Sequence, residues 1–121
     1  MSILIAGGRV IDPGQEVDRT ANLLIDDGVV KGLGARVTSR GDAQVFDATG
    51  LVVCPGFIDL HCHLREPGFE YKETIATGTR AAARGGFTTV CAMPNTNPVI
   101  DSRAVVNFIL RKGREEGAVR V

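Results

Sequence analysis

From Gly56 onward the sequence alternates between two periods, and that alternation most restricts the fold. "GFIDLHCHL", "FTTVCAMP" and the closing "AVRV" are short apolar runs, while "KETIATGTRAAARGG" and "DSRAVVNFILRKGREEG" between them space their apolar residues as helices do. Strand, helix, strand, helix, strand is the order of a parallel sheet built from crossover connections. In the first helix Ile75, Thr79, Ala82 and Ala83 keep helical spacing, and Gly85-Gly86 supplies a C-terminal stop. In the second, Asp101 or Ser102 caps the start, Val105, Val106, Ile109 and Leu110 form an apolar stripe, and Gly117 closes it. The fold class is therefore α/β. A TIM-type (β/α)8 barrel takes about 250 residues, so 121 residues with this grammar read as its opening, cut within the third barrel strand. A small open sheet is the alternative, but an apolar strand ending in mid-run leaves an edge that natural domains blunt.

The residues before Cys54-Pro55-Gly56 have another texture. "ILIAGGRVID", "ANLLIDDGVVKGLG" and "AQVFDATGLVV" set Val, Ile and Leu between Gly and Asp turn signals, and Asp27-Gly28 is a pair favoured in tight hairpins. Residues 1–54 thus read as a small, mostly antiparallel β domain, and residues 55–121 as the first βαβαβ portion of the barrel.

Composition removes several functions. The chain is 44% apolar, with fourteen basic and fourteen acidic residues interspersed to zero formal charge. Neither a nucleic-acid footprint nor a membrane-surface patch is present in such a pattern. No apolar run approaches the roughly 18 to 20 residues of a membrane span, and "MSILIAGGRV" has no basic leader. Cys54, Cys62 and Cys91 are odd in number and form no CxxC pair, which fits reduced thiols in the cytoplasm.

Chemistry concentrates in "DLHCHLREPG". On a strand, residues i and i+2 face the same way, about 7 Å apart, so Asp59, His61 and His63 share a face and Cys62 points away from it. These are the only two histidines of the chain. Paired imidazoles can converge on one metal ion at about 2.0 to 2.1 Å per bond, although a histidine on an apolar strand is ordinarily a satisfied core residue. The position brings the metal reading level with the core reading, because reactive groups of parallel βα folds gather at the C-terminal ends of strands. The second strand ends on "MPNTNP". Pro, Asn and Thr are ordinary loop formers there, and Arg65 alone would be a solvated surface residue. If both strand ends open onto one cavity, the Arg65 guanidinium and the Asn95 amide would together suit a planar carboxylate.

"PGFIDLHCHLREPGFEYKETIATGTRAAARGGFTTVCAMPNTNPV" closely resembles the corresponding stretch of dihydroorotases of the long bacterial type, in the cyclic amidohydrolase branch of the metal-dependent hydrolases. DxHxH alone would imply only an amidohydrolase, whereas "DLHCHLREPG" with "MPNTNP" about thirty residues on is far more specific. The resemblance implies a small β domain followed by a barrel. It implies zinc, one or two ions in the full enzyme, held by His61 and His63, and substrate contacts from His63, Arg65 and Asn95. Asp59 matches the leading aspartate, with an orienting role, and Glu66 and Gly68 match residues of the loop after the histidines. Cys62 departs from the apolar residue more usual between the two histidines.

The acid/base aspartate and the remaining ligands of that family belong to later strands, so no catalytic residue is expected within residues 1–121. The implied reaction is the reversible cyclisation of N-carbamoyl-L-aspartate to dihydroorotate, with a carboxylate-bearing small molecule as substrate. Aspartate transcarbamoylase or a second copy of the chain is the implied protein partner. Two alternatives stay open: another cyclic amidohydrolase, such as an allantoinase or dihydropyrimidinase, or a non-catalytic partner of aspartate transcarbamoylase.

Overall fold

The computed structural model describes residues 1–39 and 41–121. They form two compact units, Met1–Pro55 and Gly56–Val121.

The first unit is a five-stranded sheet made of β1 (Ser2–Asp12), β2 (Val17–Asp26), β3 (Val29–Gly34), β4 (Gln44–Asp47) and β5 (Val52–Val53). Strands run in the order β3-β2-β1-β4, with β5 also on β1. The Asp27-Gly28 pair closes the β2–β3 hairpin with φ of 48° and 73°, as a type I′ turn requires of both central residues. The sheet is mixed. β1–β2 and β2–β3 are antiparallel, whereas β4 and β5 run parallel to β1, against the mostly antiparallel pattern expected. The reason is connection length: a hairpin turns the chain back at once, but the longer connection before β4 returns it to β1 from the same end, and β5, four residues on, continues in that direction along β1. Leu4, Val10, Ala21 and Ala48 are buried on this sheet.

The second unit is β6 (Phe57–Cys62), α1 (Ile75–Arg84), β7 (Phe87–Ala92) and α2 (Arg103–Glu116). β6 and β7 pair in parallel, as their connection through a helix demands. Thr74 caps α1 in a capping box with Thr77, and Ser102 caps α2 through the Val105 amide. α1 starts at Ile75, the first residue of its apolar spacing, and α2 starts directly after Ser102, one of the two caps expected for it. The core is Leu64, Ile75, Val90 and Ile109, and Cys62, Val105 and Phe108 pack against it. Burying each of the four contributes about 1.5–3 kcal/mol.

Two details depart from the sequence reading. On α2 the inward face is Val105, Phe108, Ile109, Lys112 and Gly113, while Val106 and Leu110 are exposed. The closing "AVRV" makes a single parallel bridge, Thr89 with Arg120, rather than a strand. Its hydrogen bonds, Arg120 N–H to Thr88 O at 3.1 Å and Val90 N–H to Arg120 O at 2.9 Å, nevertheless lie on the free side of β7. Thr79, fully buried in α1, secures this segment by donating to Ile75 O at 2.6 Å and accepting from Ala118 N–H at 3.0 Å.

Candidate metal and anion site at the strand ends

β6 and β7 stop together. Met93 N–H donates to Cys62 O at 2.8 Å, closing the ladder just before His63 on one chain segment and just before the Pro94–Asn95 turn on the other. His61 is the penultimate residue of β6 and His63 the first beyond it. Their rings lie 5.1 Å apart between centroids, inclined at 62°, and both residues are exposed. Cys62 faces the opposite way and packs on the core, where burial foremost, then the Asp59 and Glu73 charges, raise its thiol pKa. Strand alternation therefore sorts the three residues as read from the sequence.

Asp59 does not reach either imidazole. The β6–β7 register shifts between Asp59 and Cys62, which takes the His61 amide out of the regular ladder, and Asp59 Oδ1 accepts that N–H at 2.9 Å. The carboxylate thus steadies the backbone under His61 instead of its ring. His63 is fixed from the other loop: its Nδ1 lies 2.9 Å from Asn95 Oδ1.

Arg65 sits at φ 63°, and Glu66 N–H donates to Leu64 O at 2.8 Å across it, which is a γ-turn with a left-handed centre. That conformation is rare and strained for a residue with a Cβ. Asn95 is likewise spanned by a two-residue hydrogen bond, Thr96 N–H to Pro94 O at 2.8 Å. Each turn projects its central side chain from the end of a strand. No hydrogen bond joins Arg65 to Asn95 among the described residues, and the Arg65 guanidinium makes no ion pair among them.

The two loops are locked to each other and to the helices. Asn97 N–H donates to Pro67 O at 3.0 Å. Gly68 holds φ 94° against Asn97, and a Cβ there would fall 2.1 Å from Asn97 O, so only glycine fits. Glu66, the residue after Arg65, is 6% exposed. Its Oε2 accepts the Ile75 N–H at 2.9 Å, at the first residue of α1, and its Oε1 lies 3.2 Å from Lys112 Nζ on α2. The buried carboxylate is thereby matched by an orphan helix N–H, the positive end of the helix and an ammonium. Glu116 foremost, then Glu66, raise the Lys112 pKa above its ordinary value. The sequence reading placed Glu66 only in the loop and missed this role. The i,i+4 pair of Lys112 and Glu116 could be read from spacing, but a link between Glu66 and Lys112 could not.

Among the described residues no group of three or more His, Cys, Asp and Glu side chains converges as a metal site. The two imidazoles fit zinc in donor type and in their side-by-side placement, as two ligands of a larger set.

Comparison with known proteins identifies the family. A family model described as "Dihydro-orotase-like" matches residues 50–121. Curated relatives called dihydroorotase are 54% identical in Geobacter sulfurreducens and 53% identical in Geobacter metallireducens, each aligned over all of this chain. The chain spans 28% of the length of these relatives. Among solved structures, a D-hydantoinase matches 98% of the chain at 32% identity and TM-score 0.80, over 26% of its own length. The dihydropyrimidinase from Brevibacillus agri NCHU1002 matches 98% at 31% identity and TM-score 0.79, also over 26%. With the paired histidines, the two locked loops and more than half of its length matched, the chain belongs to the dihydro-orotase-like family.

Proposed function

We propose that the complete protein is a zinc-dependent dihydroorotase of the cytoplasm, interconverting N-carbamoyl-L-aspartate and dihydroorotate in pyrimidine biosynthesis on a TIM-type barrel that follows a small β domain. The observation that carries this reading is the contact of Asn95 with His63, together with the tight turns that hold Asn95 and, two residues after His63, Arg65 at their centres. A guanidinium and an amide next to a histidine pair suit a substrate whose carboxylate adjoins the ring amide being opened.

His61 and His63 would hold the metal through neutral ring nitrogens. Bound zinc supplies Lewis-acid polarisation of the ring carbonyl and a water acidic enough to attack near neutral pH. The residues described here bind and orient: Arg65 and Asn95 hold the carboxylate, His63 contacts the substrate beside it, and Asp59 steadies the backbone of His61. In ring opening the attacking water adds to the carbonyl carbon, the carbon–nitrogen bond breaks, and the departing nitrogen takes a proton. Asp59 is bonded to the His61 amide and Glu66 to Ile75 and Lys112, so neither of these two carries that proton. On this reading the acid/base and the further ligands belong to later strands of the family's barrel.

A second reading, a cyclic amidohydrolase for rings without a carboxylate, draws support from the likeness to a D-hydantoinase and a dihydropyrimidinase. Metal-dependent turnover of dihydroorotate by the complete protein, in preference to dihydrouracil or hydantoin, is the expected result; the reverse preference favours the second reading. Absence of zinc with retained binding to aspartate transcarbamoylase would instead indicate a non-catalytic partner.

A further inference from the structure

We propose that Asn95 is a positioning residue for His63, fixing the ring tautomer that leaves Nε2 free for the metal, while the other end of the same amide faces the substrate carboxylate. The first half stands on the geometry of this chain, and the second rests on the dihydroorotase reading.

An amide oxygen only accepts hydrogen bonds. The 2.9 Å contact between His63 Nδ1 and Asn95 Oδ1 therefore assigns the proton to Nδ1, and in a neutral ring Nε2 then carries the lone pair. The His61 ring makes no comparable hydrogen bond among the described residues, so the two imidazoles are fixed unequally.

The acceptor itself is held in place. Pro94 O, just before Asn95, receives N–H groups from Thr96 at 2.8 Å and Ile100 at 3.1 Å, both after it. Buried Thr96 donates its hydroxyl to Pro98 O at 2.7 Å, and Asn97 N–H is bound to Pro67 O at 3.0 Å. The Asn95 backbone is thus tied both to its own loop and to the loop that carries Arg65.

The Asn95 Nδ2 group donates to nothing among the described residues, which leaves it available to an anion. An amide that gives at nitrogen and accepts at oxygen is polarised in the same sense by both partners. Binding of the carboxylate and orientation of the metal-binding ring are thereby linked through one side chain.

The test uses the complete protein and three readouts. In the metal-free protein, long-range nitrogen–proton NMR of His63 should show the Nδ1-protonated tautomer, and Asn95→Ala should abolish that preference. By competition with a chromophoric chelator, Asn95→Ala should lower zinc affinity by about 10–100-fold, as loss of an orienting partner does. Asn95→Asp retains an acceptor for Nδ1–H, so it should keep zinc affinity near that of the wild type. Its charge opposes the carboxylate, however, and should raise KM for dihydroorotate by about 10–100-fold, the worth of one charged hydrogen bond.

An Nε2-protonated His63 in the metal-free wild type, or Asn95→Ala binding zinc as tightly as the wild type, overturns the positioning role. If the wild type turns over no carboxylate-bearing ring, the dihydroorotase reading fails, while the NMR and zinc measurements still decide the role of Asn95.

Discussion

Arg65 is held in a conformation that most residues avoid, φ 63° at the centre of a γ-turn. Strain of this kind costs on the order of 1–3 kcal/mol and persists where surrounding contacts over-determine it. Here Glu66 on one side and Phe69 N–H on Arg65 O at 3.0 Å hold the turn. Replacing Arg65 with Met in the complete protein should leave the turn and remove the guanidinium. KM for dihydroorotate should then rise by about 10–100-fold, as expected for losing one charge-assisted hydrogen bond, with kcat changing much less. Steady-state kinetics check this, and an unchanged KM would point to a ring without a carboxylate. At this scale the sequence was informative: strand alternation placed His61 and His63 on one face and Cys62 on the other. It did not predict that Asp59 would bond a backbone amide, because that depends on a register shift between β6 and β7.

At the scale of elements, one buried carboxylate ties the β6–α1 loop to both helices. Glu66→Ala would leave the Ile75 N–H without an acceptor and Lys112 without its buried partner. Lys112 keeps Glu116, so the cost is that of one unsatisfied buried N–H, and chemical denaturation of the complete protein should show a loss of about 1–3 kcal/mol. Thr74→Ala, which removes only the side-chain cap of α1, should cost about 1 kcal/mol.

The same cluster gives a pH dependence. Lys112 has its pKa raised above the ordinary 10.5 by Glu116 first and Glu66 second. A raised pKa in the folded state means that the ammonium favours folding below the unfolded value, and that this contribution disappears as pH climbs through the folded one. Unfolding midpoints of the wild type should therefore fall faster above about pH 10 than those of Lys112→Met, the window being set by the lysine reference value. Equal slopes would show that the pair contributes nothing there.

At the scale of the molecule, the second unit leaves much apolar surface exposed on β6: Phe57 is 53%, Ile58 60% and Leu60 74% exposed. Its sheet has two strands, joined on one side by a single bridge and unpaired on the other among the described residues. Sheets so small with open edges and apolar faces associate. Residues 1–121 produced alone should therefore self-associate in light scattering, bind zinc weakly with only two histidines, and show no measurable dihydroorotase activity. A compact monomer with metal-dependent turnover would contradict all three expectations.

The division between sequence and structure follows from the range of the forces involved. Local periodicity and capping chemistry act within a few residues, so the sequence by itself determined the βαβα grammar, the Asp27-Gly28 turn, the cap at Ser102, and the common face of His61 and His63. Long-range placement is decided when elements pack. Only the tertiary structure decided that β4 and β5 run parallel to β1, and that α2 turns Lys112 rather than Leu110 inward. The same packing closed Gly68 onto Asn97, brought Lys112 to Glu66 across forty-six residues, and set the Asn95 amide on His63. Each of these depends on how two distant segments meet, and no spacing within either segment encodes that.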